Sequence, residues 1–171
     1  MKRLIFDSGP IITLTLNNIS WALDDLKEKF NGSFIIPEEV GQELIDKPLS
    51  TKKFKFEALQ TMHMIRKGTL EVYNTGKEVD DLCAKLLDIC NNCFVARGRP
   101  VKIAHIGEMS AVATAIYLGA EALVIDERTT RLLIERPEKM AKILSKKLHT
   151  KVKTNTDNLK RLKKKLSGLK V

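Results

Sequence analysis

The chain has 171 residues, enough for one well-buried core and short for two. With 43% hydrophobic and 30% charged residues it has the balance of a folded domain rather than a disordered one. Its net charge is +9, and residues 151–171 carry most of it, with eight Lys or Arg against one acid, Asp157. The longest apolar runs, Phe34-Ile35-Ile36 and Ala122-Leu123-Val124-Ile125, are far too short to cross a bilayer. Lys2-Arg3 leads straight into Leu4-Ile5-Phe6-Asp7 without a signal-peptide stretch, so the expectation is a cytoplasmic protein with no membrane role.

Hydrophobic periodicity predicts alternating strands and helices. Arg3–Asp7 reads as a strand, and Asp7-Ser8-Gly9-Pro10 as a turn into a helix that Ser8 caps and Pro10 starts. A second helix is expected from about Ser20 to Phe30, stopped by Asn31-Gly32. Ser33–Ile36 is the second strand, and Pro37 leads to a helix holding Val40, Glu43 and Leu44. A helix from Phe54 to Lys67, closed by Gly68, precedes a third strand over Leu70–Tyr73. The spacing then predicts one long helix from about Glu78 to Ala96, broken by a loop at Arg97-Gly98-Arg99-Pro100. Another runs from near Gly107-Glu108 to Gly119, followed by a fourth strand, Ala122–Ile125, that ends at Asp126. One or two helices fill Thr129–Lys147 with a break at Pro137, Thr150–Thr154 makes a fifth strand, and Asp157 caps a lysine-rich last helix. Short strands separated by helices make β-α-β units in a mostly parallel sheet. The whole reads as one domain over residues 1–154, with a basic helix over 155–171 packed on it or extending from it.

Cys90 and Cys93 form a C-x-x-C pair with His105 downstream, which raises a zinc site. The second C-x-x-C and the knuckle glycines are missing, however, and Cys83 and Cys90 lie two turns apart on one helix face beside leucines. Small buried hydrophobes are the better reading.

Two strands end in acids, Asp7 and Asp126. Ligands of open α/β sheets collect beyond the carboxyl ends of strands where the strand order reverses. If the first and fourth strands are neighbours there, both aspartates face one crevice. Glu43 and Glu108 sit on helices near other strand ends, although Glu38, Glu39 and Asp46 rival Glu43 on the same stretch. Carboxylates gathered in one pocket repel each other unless cations neutralise them, and hard oxygen ligands favour Mg²⁺ or Mn²⁺. Such ions can activate water and stabilise a leaving oxygen in phosphodiester cleavage.

These segments resemble the PIN-domain family. Leu4-Ile5-Phe6-Asp7-Ser8 resembles its first motif, and Ile36-Pro37-Glu38-Glu39-Val40-Gly41-Gln42-Glu43 its second. Gly107-Glu108-Met109-Ser110-Ala111 resembles the third, and Leu123-Val124-Ile125-Asp126 the fourth. The resemblance implies an α/β/α sandwich with a five-stranded parallel sheet, dependence on Mg²⁺ or Mn²⁺, and endonucleolytic cleavage of RNA. Asp7, Glu43, Glu108 and Asp126 carry over as the catalytic acids, with Asp7, Glu108 and Asp126 as metal ligands. Glu127 stands where many relatives have a second Asp and is a secondary candidate, as are Ser8 and Thr129; Thr129 and Thr130 either orient Asp126 or start the next helix. The family's VapC-like toxins imply an antitoxin or RNA-processing partner, and homodimers are common among its members.

The lysine-rich end departs from the family pattern. Lys160, Arg161, Lys163, Lys164 and Lys165 either grip RNA phosphates or form a solvated face, and Arg97, Arg99 and Lys102 are a second candidate contact. The competing function is a non-catalytic RNA-binding or RNA-processing assembly module on the same scaffold. Dinucleotide and P-loop signatures are missing, and no G-x-S-x-G elbow supports a serine hydrolase.

Overall fold

The computed structural model describes residues 1–51 and 53–171. β1 (Lys2–Phe6) is followed by α1 (Ser8–Leu16) and α2 (Ala22–Phe30). β2 (Gly32–Pro37) opens into one helical run, α3 (Glu38–Gly41), a π turn (Gln42–Asp46) and α4 (Lys47–Ser50), and then α5 (Lys55–Lys67) and β3 (Glu71–Tyr73). Next come α6 (Lys77–Asn91), the short strands β4 (Phe94–Ala96) and β5 (Arg99–Pro100), α7 (Ile106–Tyr117) and β6 (Ala122–Val124). α8 (Arg128–Glu135), a 3₁₀ turn (Pro137–Lys139) and α9 (Met140–Lys147) lead to β7 (Val152–Thr154) and α10 (Thr156–Leu166). Among the described residues no helix is long and apolar enough to cross a membrane.

The main sheet is parallel and four-stranded, in the order β3-β2-β1-β6. Ile5 pairs with Ile35 and with Leu123, which sets these three side chains on one face of the pleat. They pack with Leu86 of α6 and with Met109 and Val112 of α7. The alternate residues, Phe6, Phe34 and Ile36, face the other way and pack with Ile11, Leu23 and Met64. Helices therefore cover both faces of the sheet. Phe34 and Ile36 are wholly buried, and each such side chain stabilises the fold by about 1.5–3 kcal/mol. Gly32 is required where β2 begins, because a Cβ there would meet the Lys2 carbonyl at 2.5 Å and the Phe30 ring at 2.6 Å.

Several expectations change. The strand over 152–154 forms but does not join the parallel sheet. It pairs antiparallel with β4, giving a second sheet in the order β5-β4-β7. The outer edge of β6, where a fifth parallel strand would lie, is instead met by the C-terminal segment, with Leu123 N donating to the Lys170 carbonyl at 2.8 Å. The long helix stops at Asn91, and Phe94-Val95-Ala96 is a strand because aromatic and β-branched residues there find partners on both sides. Arg97-Gly98 is no open loop but the tip of a tight hairpin, both residues having positive φ (51° and 76°). Ser8 does not cap α1; Asp7 takes that position, without a side-chain capping bond. α10 is capped by Asn155, whose side chain accepts from Asn158 N, and Asp157 lies in the first turn. α10 buries Leu162 and Leu166 in the core beside α6 and points its lysines outward.

Candidate active site

β1 leads outward to β2 and β3 on one side, and β6 returns on the other, so the strand order reverses between β1 and β6. Asp7 follows directly on β1, and its backbone N–H donates to the Val124 carbonyl of β6 at 3.0 Å. Asp126 lies two residues beyond the end of β6. The two strand ends thus open into the same crevice, a pocket of about 600 Å³. All four acids expected from the sequence line it: Asp7, Glu43, Glu108 and Asp126. Ser8 and Glu127 line it as well.

Each acid is held differently. Asp7 is 4% exposed. Burial raises its carboxyl to about 6; the Ser8 amide opposes this, the charges of Glu108 and Glu43 add to it, and the Gly9 amide also opposes it. Glu108 opens α7 in a capping box with His105, whose backbone N–H donates to Glu108 Oε2 at 3.3 Å. The Thr130 hydroxyl donates to the same oxygen at 2.9 Å. Burial nevertheless leaves Glu108 above its usual carboxyl range, against the pull of Thr130 and His105 and helped by the charge of Glu127. Asp126 is exposed and accepts from the Thr13 hydroxyl at 3.2 Å. It lies directly over Gly9, where a Cβ would come within 1.9 Å of Oδ1. Glu43 sits on the π turn, 3.7 Å from Lys47, and its Oε2 is 3.3 Å from where a Cβ on Gly107 would be.

The secondary candidates divide. Glu127 is the N-cap of α8, accepting from Thr130 N at 2.5 Å. Burial pushes its carboxyl up, but the amides and hydroxyls of Thr130 and Thr129 outweigh this and hold it below its usual range. Thr129 lies in the first turn of α8, directly after this cap. Sequence reasoning missed Thr13, whose hydroxyl bonds Asp126, and offered Thr130 for Asp126, whereas the Thr130 hydroxyl donates to Glu108. It also left Glu39 as a rival only, yet Glu39 lines the pocket and accepts from the Ser110 hydroxyl at 2.5 Å. The four-residue spacing of Glu39 and Glu43 was the available signal, since it puts both near one helix face. His105 and Lys47 complete the rim.

The arrangement is a ring of carboxylates rather than a closed cage. Among the described residues, no group of three or more His, Cys, Asp or Glu stands close enough to hold one ion. Three of the acids have partners of their own, Thr130 for Glu108, Lys47 for Glu43 and Thr13 for Asp126. The donor set itself, all hard oxygens around a buried carboxyl that resists ionising alone, fits a divalent cation of the Mg²⁺ class. The cysteines are free and buried, and burial pushes the thiols of Cys83 and Cys93 to about 11 and that of Cys90 to about 12, consistent with packing roles.

No protein-family model matches this chain, and no curated protein is similar enough to count as a match.

The candidate nucleic-acid residues fall in two places. Arg97, Arg99 and Lys102 are exposed on the β4–β5 hairpin and just after it. Lys160, Arg161, Lys163 and Lys164 are exposed on α10, Lys165 is half-buried, and Lys163 pairs with Glu138 at 3.0 Å.

Proposed function

We propose that the protein is a PIN-type, metal-dependent endoribonuclease that hydrolyses RNA phosphodiester bonds in the Asp7 pocket. One observation carries the reading. Four acids from four separate segments line a single crevice at the point where the strand order reverses.

In this reading Asp7, Glu108 and Asp126 hold Mg²⁺ or Mn²⁺. The ion would supply Lewis-acid stabilisation at the scissile phosphate and a more acidic attacking water. Asp7 must give up its proton to bind, so cation binding strengthens as pH rises through about 6. Thr130 fixes the Glu108 carboxylate, so little of its reorganisation remains when the substrate arrives, while Thr13 bonds Asp126 at an exposed position. Glu43, with Lys47 beside it, is the fourth acid of the pocket.

The natural substrate is cytoplasmic RNA. An antitoxin, an RNA-processing factor or a second copy of the chain belongs to the same reading as a partner. A groove lined by Ile12, Leu16 and Phe54 offers an apolar seat beside the pocket and shares Glu43 and Lys47 with it.

The test is cleavage of labelled single-stranded RNA by the full chain in Mg²⁺ or Mn²⁺, alongside Asp7→Asn and Asp126→Asn. The expected result is metal-dependent cutting that both variants abolish while staying folded. Cutting that survives in both removes the site assignment.

A second reading is favoured by the open spacing of the carboxylates. Here the chain binds RNA as an assembly module and cuts nothing. Binding that persists in EDTA, with no product at any metal concentration, would decide for it.

A further inference from the structure

The second sheet brings together two stretches of the chain that contain no acid. Residues 89–107 carry Arg97, Arg99 and Lys102, and residues 139–156 carry Lys139, Lys142, Lys146, Lys147, Lys151 and Lys153, all without an Asp or Glu. They are far apart in sequence and become neighbours only through the β4–β7 pairing. The register sets Lys153 opposite Val95, Val152 opposite Ala96, and Arg99 opposite Ala96 from the other side. α9 packs against β7, with Ser145 Oγ accepting from Val152 N at 3.0 Å, and its last turn carries Lys146 and Lys147.

These cations are free to bind something. Arg97, Arg99, Lys102, Lys151 and Lys153 are all exposed, and none of them is in an ion pair among the described residues. Arg97 occupies a left-handed position at the hairpin tip, φ 51°, where Gly or Asn fits with less strain.

The surface also connects to the pocket. Val101–Ala104 runs from the hairpin to His105 on the pocket rim, so Arg99 lies within about 21 Å of His105 even if the backbone is fully extended. The connection is held in place by Asn91, whose Oδ1 accepts from Ile103 N at 2.7 Å and Ala104 N at 3.0 Å and whose Nδ2 donates to the Ala104 carbonyl at 3.1 Å.

We infer that the β5-β4-β7 sheet is a phosphate-binding platform for a single-stranded polynucleotide whose next segment enters the acidic pocket. The inference rests on the nuclease reading for the strand's destination. The platform itself rests on cations outside any ion pair that the β4–β7 pairing brings onto one small sheet. Lys153 shares the sheet face of Val95 and Arg99 that of Ala96, so Arg97, Arg99, Lys151 and Lys153 hold the backbone around the hairpin end of the sheet, without reading bases, since no aromatic side chain lies among them to stack on.

The experiment measures binding of a fluorescein-labelled single-stranded oligoribonucleotide to the full chain by anisotropy, in EDTA, across a KCl series. Cleavage is followed separately with Mn²⁺. Two double variants are compared with wild type: Lys151→Ala with Lys153→Ala, and Arg97→Gly with Arg99→Thr. The glycine keeps the hairpin turn, so the second pair tests charge rather than folding. Each lost phosphate contact flattens the slope of log affinity against log salt by about 0.7, so each double variant should flatten it by about 1.4. Wild-type slopes and affinities in both variants overturn the platform, even if RNA is cut normally. Flattened slopes in a chain that never cuts RNA uphold the platform and remove the nuclease reading. Failure of the wild type to bind RNA, with binding to phosphatidylserine vesicles instead, overturns the platform in favour of a membrane surface.

Discussion

Gly9 makes room for Asp126: a Cβ on Gly9 would lie 1.9 Å from Asp126 Oδ1. The two residues come from the helix after β1 and the loop after β6, so the pocket depends on a missing side chain as much as on the acids present. Gly9→Ala should separate fold from function. Alanine favours the first turn of α1 by up to about 1 kcal/mol, and the exposed Asp126 carboxylate can swing away cheaply. The melting temperature should stay within about 4 °C of wild type, while displacement of Asp126 should lower metal-dependent cleavage by about a hundredfold. A fully active Gly9→Ala protein would mean that Asp126 is not needed where it stands.

Asp7 gives a pH signature. Its folded carboxyl titrates near 6 against an ordinary 3.8, chiefly through burial. The native state thus holds this proton more tightly than the unfolded chain does. The associated stability is fully present below pH 3.8 and is lost as pH rises through about 6. Asp7→Asn never ionises, so without metal it should be more stable than wild type at pH 8, by up to about 3 kcal/mol, and converge with it near pH 4. Mn²⁺ should then raise the melting temperature of wild type and leave the asparagine variant unmoved. Denaturation with and without Mn²⁺ at the two pH values checks both signs, and an asparagine variant less stable than wild type at pH 8 in EDTA would refute the burial argument.

Thr130 tests how Glu108 is kept ionised. Its hydroxyl is buried and donates to Glu108 Oε2, while its backbone N–H serves Glu127. Thr130→Val keeps the shape and the backbone bond and removes only the hydroxyl. Burial already raises Glu108, so losing this donor should raise it further. Stability tied to a raised carboxyl is lost as pH rises, so the valine variant should lose about 1.5–3 kcal/mol above neutral pH and less in acid. Urea unfolding at the two extremes reads this directly. Equal losses at both would assign Thr130 to packing alone.

How far the pocket could be read from the chain depends on the kind of signal each residue leaves. Asp7 and Asp126 stand at the ends of short apolar strands, and that pattern is local. Glu39 and Glu43 sit on one helical run whose π turn rotates the faces, so spacing alone could not rank them. Thr130 differs from Thr129 only by one position on α8, and the contact with Glu108 that separates them is made across the fold. The β4–β5 hairpin was hidden for a similar reason. Cys83, Leu86, Cys90 and Cys93 continue a helical period into it, and the strand that holds it, β7, lies more than fifty residues downstream. The fifth strand was placed correctly along the chain, and its partner was not, since pairing is a tertiary choice.

Asn91 joins the two halves of the proposed machinery. Its side chain satisfies three backbone groups of Ile103 and Ala104, the segment between the cationic hairpin and the α7 start that carries His105 and Glu108. Asn91→Ala leaves two N–H groups and one carbonyl without their partner. Each buried orphan costs about 1–3 kcal/mol, less where water reaches it, so a total loss of roughly 2–4 kcal/mol is expected. Asn91→Asp keeps the acceptor for both N–H groups and sets a carboxylate against the Ala104 carbonyl, so it should fall between wild type and alanine. The functional readout separates positioning from plain stability. At a temperature where both variants are fully folded, the alanine protein should bind RNA in EDTA with wild-type affinity yet cut it more slowly, because Glu108 moves while the hairpin cations stay on their sheet. Equal loss of binding and cutting would place Asn91 in the general fold, and unchanged cutting in a destabilised alanine variant would show that the start of α7 holds its place without the clamp.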